Sequence, residues 1–242
     1  MHLVLAAILL VGPVRFHLPP LPAREAYGNV LIDRTTASGP VKAVTFSHWS
    51  HRTRYTCRVC HLELDFSFER NGTEITEEAN RKGRYCGACH DGKTAFGHTA
   101  EHCDKCHAGD VVTADYKKVD ALPWSLYGDG VNWTRALAAG AIKPLASLSG
   151  DVGGIQLDRT LTIEADWNFV PAAIFPHAEH ERWLDCANCH PSIFNVKKKS
   201  TRQFSMRNIL AGEFCGTCHR RVAFPLNDCR RCHPTMKNEP QL

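Results

Sequence analysis

The sequence predicts a mainly irregular chain with short α-helices and little β-structure, folded as two tandem units. Three observations predict it. All twelve cysteines fall in six copies of one pentapeptide, Cys-x-x-Cys-His. A shift of 129 residues carries much of the first half of the chain onto the second. Only about 40 residues are available per pentapeptide, too few to build a side-chain core around each one. Strand content should therefore fall well below the roughly 20–25% of ordinary globular proteins.

The pentapeptides are Cys57–His61, Cys86–His90, Cys103–His107, Cys186–His190, Cys215–His219 and Cys229–His233. At this cysteine and histidine content, chance supplies roughly 0.04 matches in total. The spacing is the attachment signature of haem c. Each thiol pair, Cys57/Cys60, Cys86/Cys89, Cys103/Cys106, Cys186/Cys189, Cys215/Cys218 and Cys229/Cys232, takes one porphyrin through thioether bonds. The adjacent histidine, His61, His90, His107, His190, His219 or His233, is placed as the proximal iron ligand. Disulfides or zinc would use the cysteines but leave six adjacent histidines unexplained. The cofactors expected are six covalently attached haems c, and they supply the apolar core that the side chains lack.

The segment Met1 to Val11 is apolar and of signal-peptide length, too short to span a bilayer, although a charged start is missing. Residues 1–28 read as a signal peptide, with cleavage after Ala23 or Gly28, so the protein is expected to be periplasmic or extracellular. No later segment is apolar enough to cross a membrane. The formal charge is +4. Six ferric haems with ionised propionates would bring it to about −2, so the basic balance does not indicate nucleic acid. Arg58, Lys93, Lys105, Arg230 and Arg231, in or beside the motifs, are candidate propionate partners.

The 129-residue shift maps Phe46, His48, His51, Gly83 and Gly87 onto Phe175, His177, His180, Gly212 and Gly216, along with the first two motifs. The third motif shifts by 126. Ile32-Asp-Arg-Thr35 and Leu157-Asp-Arg-Thr160 read as matching openings. This is a duplicated trihaem unit, with unit one at 29–110 and unit two at 151–242. Residues 111–150 connect them. There Asn132 is placed to cap a short helix from Trp133 to Ala139, stopped by Gly140 and Pro144. Trp124, Tyr127 and Trp133 predict that the connection packs along the haems rather than swinging free.

The distal ligands come from histidines outside the motifs. His48 and His51, like His177 and His180, are spaced to share one helix face while reaching different irons. For the third haem of unit one the candidates are His98 and His102. His98 is favoured, because His102 directly precedes Cys103. Unit two has no histidine in the matching loop. Met206 is the nearest soft ligand there, or else an apolar packing residue, and Met236 near the C-terminus is a weaker candidate.

The order Phe-x-His-x-x-His, Cys-x-x-Cys-His, Cys-Gly-x-Cys-His and a third motif resembles the c(7)-type trihaem cytochromes. Tyr85–Phe96, Phe214–Phe224 and Val131–Pro144 are similar to the tandem, nanowire-type members. The resemblance implies that the first helix histidine serves the second haem and the second serves the first. On that pattern His48 pairs with His90, His51 with His61, His177 with His219, and His180 with His190. It also implies a methionine ahead of the second motif as ligand of the third haem. Met206 holds that place in unit two, and Glu77 stands there in unit one.

The function expected is an exported hexahaem electron relay between a membrane quinol-oxidising system and a terminal acceptor, an extracellular one among the candidates. It is not expected to be an enzyme. Its partners would be other redox proteins, a membrane quinol-oxidising complex and other cytochromes. One alternative is a multihaem reductase of a small anion, with one open iron. The other is a subunit that self-associates into an extracellular haem filament.

Overall fold

The structure is a computed structural model that describes residues 18, 20–111, 119–150, 156–167, 169–195 and 204–237. The apolar run from Met1 to Val11 lies outside the described residues.

Unit one opens with β1 (Asn29–Ile32), antiparallel to β2 (Val44–Ser47), with Asn29 opposite Ser47. β2 runs straight into α1 (His48–Arg52). A π-helical turn (Val59–Glu63) carries the first motif. In α2 (Glu77–Arg81) the Thr76 hydroxyl accepts the Ala79 N–H, and Glu77 and Glu78 meet the positive end of the helix. A 3-10 turn (Tyr85–Ala88) carries the second motif and α3 (Cys103–Cys106) the third. The connection holds α4 (Trp133–Ala138), capped by the Asn132 side chain as expected. Unit two repeats the order with β3 (Thr160–Ile163), β4 (Ala173–Pro176), α5 (His177–Glu181), α6 (Cys186–Cys189), α7 (Met206–Ala211), α8 (Gly216–His219) and α9 (Cys229–Cys232). These strands and helices are four to six residues long. Helices this short do not hold alone in water, so tertiary contacts must hold them.

The duplication extends beyond the motifs. Gly83 and Gly212 end α2 and α7 at φ 75° and 103°, a left-handed conformation that favours glycine. Tyr85 and Phe214, just before the second motifs, share φ near 50° at 48° and 50°. Gly87 and Gly216 recur for a different reason. A Cβ on Gly87 would strike the Asn80 carbonyl at the end of α2, and one on Gly216 would strike the Ile209 carbonyl in α7.

One expected match is corrected. Asp33-Arg-Thr35 follows β1, whereas Asp158-Arg-Thr160 leads into β3. The strands are equivalent at a shift of 131, and Gly28 rather than a residue of the first Asp-Arg-Thr stretch matches Arg159. The carbonyls of Gly28 and Arg159 each accept from both the backbone and the ring of the first helix histidine. A backbone carbonyl leaves no side-chain signature, so the resemblance of the two stretches misled.

The main apolar cluster is Trp49, Val119, Val131, Trp133, Ala136 and Ile142, with Leu122, Leu137 and Trp183 packed on it. All of the buried members except Trp49 come from the connection, which touches α1 of unit one and Trp183 of unit two. Tyr55 and Leu145 form a parallel bridge, so the end of the connection also pairs with unit one. Residues just before position 29 belong to the fold. Tyr27 is 1% exposed and its hydroxyl donates to the Ala223 carbonyl at 2.6 Å. Cleavage after Gly28 would remove this contact and the Gly28 carbonyl, whereas cleavage after Ala23 keeps both.

Candidate functional site

Each motif is one helical turn. The histidine N–H donates to the carbonyl of the first cysteine in the motifs starting at Cys86, Cys103, Cys186, Cys215 and Cys229, at 2.8–3.0 Å. Residues i, i+3 and i+4 then share a face, so two thiols and one imidazole address the same side. None of the twelve cysteines is paired in a disulfide. Burial pushes Cys60, Cys218 and Cys232 up to about 12, and neighbouring thiols add to the shift. Those neighbours run in series. Cys106 acts on Cys86, Cys86 and Cys89 on Cys60, Cys57 on Cys189 and Cys218, and Cys215 on Cys232.

The imidazoles share one anchoring pattern. The Nδ1–H of His48 donates to Gly28, that of His51 to Ser47, that of His177 to Arg159 and that of His180 to Pro176, each to a carbonyl at 2.7–2.9 Å. His61 donates to Phe66, His90 to Phe96, His190 to Phe194 and His219 to Phe224, at 2.6–3.0 Å. His107 donates to Lys42 and His233 to Pro171, two equivalent carbonyls just ahead of β2 and β4. Such a bond puts the proton on Nδ1 and leaves the Nε2 lone pair for a metal. Burial also pushes His48, His51, His61, His90, His180 and His219 toward the neutral form, holding His48 down to about 3 and His219 to about 4. The sequence reading gave no role to these carbonyls. Only the phenylalanine four to six residues after each of the first two motif histidines was a visible signal.

Three imidazole pairs face one another. The ring centroids of His48 and His61 lie 6.4 Å apart with planes 7° from parallel. His51 faces His90 at 6.2 Å, and His180 faces His219 at 6.2 Å. Two imidazoles on opposite sides of one metal, each bonded at about 2 Å, have centroids roughly 6 Å apart. The donor chemistry and the spacing therefore fit an iron between each pair. This reverses the expected pairing of His48 with His90, His51 with His61 and His180 with His190. The cause is the entry into the helix. Phe46 packs edge-on to His48 at 4.8 Å and against His51 at 4.5 Å. Phe175 repeats this with His177 and His180. The phenyl ring separates the two imidazoles, so the first turns back toward the first motif and the second reaches on to the next.

The third-haem candidates separate. His102 is anchored like the others, its Nδ1 near the Gly97 carbonyl at 3.2 Å and the Thr99 hydroxyl at 3.0 Å. It packs edge-on to Phe96 at 5.3 Å. His98, favoured on reach, is the one described histidine with no such anchor, and it lines a cavity of about 290 Å³ with Arg81 and His90. Met206 opens α7 half-buried. Glu77, at the same place in α2, is exposed and bonded to Arg81 at 2.7 Å.

The two first motifs meet directly. Arg58 pairs with Glu63, with Asp185 at 3.4 Å, and with the Ala146 carbonyl at 3.0 Å. Its N–H donates to the Trp183 carbonyl, and the Asn188 side chain donates to the His61 carbonyl at 3.1 Å. Arg58 thus joins both units and the connection and is committed to protein partners, contrary to its expected use as a propionate partner. Arg231 pairs with Asp228 at 3.2 Å over the Phe224 ring, and Lys105 lies over Phe96.

A family model described as cytochrome c7 and related cytochrome c matches residues 44–108 and 173–234, from β2 and β4 through the third motif of each unit. Among solved structures, the C-terminal hexaheme fragment of GSU1996 is 27% identical, over 85% of this chain and 94% of that one, with a TM-score of 0.28. The dodecaheme cytochrome c GSU1996 is 26% identical, over 81% and 72%, with a TM-score of 0.30. The N-terminal hexaheme fragment of GSU1996 is 23% identical, over 86% and 99%, at 0.28. No curated protein matches significantly.

Proposed function

The chain belongs to the cytochrome c7 and related cytochrome c family, and from that premise we propose that it is an exported hexahaem relay, passing electrons from a membrane quinol-oxidising system to a terminal acceptor. A multihaem cytochrome c of this family has an electron-transfer role. Haem iron, when bound, supplies one-electron chemistry at potentials set by axial ligand, burial and nearby charge. The residues proposed to hold the six haems are the six thiol pairs and their adjacent histidines. His48, His51, His177, His180, His102 and Met206 are the proposed distal ligands, with His48 serving the first haem and His51 the second. In unit two, His177 and His180 serve the first and second haems by the same reading.

The observation that carries this is the opposed imidazole pairs, because a relay iron closed on both faces exchanges electrons without a substrate site. The series of neighbouring thiols supports an array running third, second, first in unit one, then into unit two. Multihaem c-type cytochromes are generally exported, and no described helix is long and apolar enough to cross a membrane. Redox proteins are its proposed partners.

Stopped-flow oxidation of the fully reduced protein tests the reading. A soluble iron(III) chelate should oxidise it fast, while nitrite, sulfite and hydroxylamine should not turn over at about 1 per second or more. Saturable turnover of one small anion, with a high-spin haem at rest, would replace the relay with the reductase.

A further inference from the structure

We propose that Arg52 is a tuning residue, a fixed cation between the two units that raises the reduction potential of the haems held by Cys57/Cys60 and by Cys215/Cys218. The proposal rests on the haem-bearing reading above and assigns one of its determinants to a residue that binds no iron.

Arg52 closes α1, four residues after His48 and on the same face. Its Nη2 crosses to unit two and donates to the Val222 carbonyl at 2.9 Å. Val222 and Ala223 in turn donate their N–H groups to the Cys218 carbonyl, at 3.0 and 2.9 Å. The Phe224 carbonyl, two residues after that of Val222, anchors His219. The guanidinium therefore has a histidine of the first haem of unit one on its own helix. Its far end binds the loop that closes over the second motif of unit two. The guanidinium also lies 4.8 Å over the Trp133 ring, and Tyr27 holds the same loop through its bond to the Ala223 carbonyl.

Asp129 is the carboxylate whose charge interacts with Arg52. It accepts from Trp133 Nε1 at 2.8 Å and from the Val131 N–H at 3.2 Å; burial pushes its carboxyl up, and the Arg52 charge opposes that shift.

The duplication sharpens the inference. The 129-residue shift carries Arg52 onto Glu181, so the same helix position bears opposite charges in the two units. Glu181 accepts from the Leu157 N–H within unit two at 2.9 Å. One-electron uptake at an iron lowers the local charge by one. A fixed cation therefore favours the reduced form and a fixed anion the oxidised form.

The experiment is a haem-resolved redox titration of the mature protein and two Arg52 variants. In Arg52→Gln two haems should move to lower potential. At a fixed ambient potential their reduced-to-oxidised ratio should fall about tenfold, which is about 59 mV for one electron. Arg52→Lys loses the planar guanidinium but keeps the charge, so its potentials should stay within about threefold of the wild type. No shift in Arg52→Gln, or equal shifts in both variants, would overturn the proposal, the second by showing that Arg52 acts through packing alone. Where Arg52→Gln fails to mature, Glu181→Gln provides the test. Removing that anion should raise the potential of the Cys186/Cys189 haem, and no rise counts against the proposal. Intact mass on the same samples counts covalent haems, so failure of the haem reading shows as missing mass rather than as an unmoved potential.

Discussion

A neutral imidazole becomes a dependable metal ligand when something fixes its ring and its tautomer. In this chain backbone carbonyls do both, and a phenyl ring decides direction. Phe46 and Phe175 hold each helix pair apart, and the carbonyls of Gly28, Ser47, Arg159 and Pro176 hold the Nδ1 protons. His51→Ala should therefore open the iron of the Cys86/Cys89 haem, facing His90. Reduced protein should bind carbon monoxide at one haem, and the high-spin signal should vanish when Cys86 and Cys89 are also replaced by Ala. A signal that survives removal of that haem returns the ligand to the first motif. Glycine is required at two other positions by crowding alone. Gly216→Ala drives a Cβ into the Ile209 carbonyl and Gly87→Ala drives one into that of Asn80. Each should cost about 2 kcal/mol in thermal unfolding of the mature protein. Gly39→Ala, whose Cβ meets nothing closer than 3.8 Å, should change little. Equal stability of all three variants would refute the crowding account.

At the level of elements, α2 and α7 are one helix used in two ways. Both are capped by a hydroxyl, Thr76 or Ser205, and both end on a left-handed glycine. The first residue differs. Met206 offers a half-buried thioether, while Glu77 turns out to solvent and pairs with Arg81. On the proposed reading unit one draws the distal ligand of its third haem from the loop before α3, where His102 has the anchor that His98 lacks. His102→Ala should convert one haem of unit one to high spin, and His98→Ala should leave six low-spin haems. The reverse outcome would restore His98. In unit two, Met206→Leu should abolish the weak near-infrared absorption of a methionine-bound ferric iron. A wild type without that band would make Met206 a packing residue. The contrast of Met206 with Glu77 was legible in sequence, whereas the two helices and their hydroxyl caps emerged only in the structure. Nor was the choice between two nearby histidines legible, because it turns on which ring nitrogen meets a carbonyl.

For the whole molecule, the connection is structure rather than a tether. It supplies most of the buried apolar cluster, and Arg58 ties it to both units. The Arg58 side chain is 15% exposed and faces two carboxylates, so its removal leaves Glu63 and Asp185 close and uncompensated. Arg58→Ala should cost about 2 kcal/mol. Combined with Asp185→Ala in a double-mutant cycle, it should show a coupling of at least about 0.5 kcal/mol across the unit boundary. Additive effects would mean that the two first motifs are held together by something else.

By itself the sequence determined the chemistry and its repetition. Cysteine and histidine spacing along a chain survives any folding, so six attachment motifs, two units, the irregular fold class and the helix histidines were readable in one dimension. The tertiary structure decided every relation between residues distant along the chain. Which imidazole faces which motif depends on how β2 enters α1 past Phe46. The equivalence of Gly28 and Arg159 is one of backbone carbonyls, which carry no side-chain identity. The meeting of the Arg58 motif with Asp185 and Asn188 spans 127 residues. Spacing is a local property that covalent connectivity preserves. Facing is a property of packing, set by where the apolar surfaces of the two units and their connection come together.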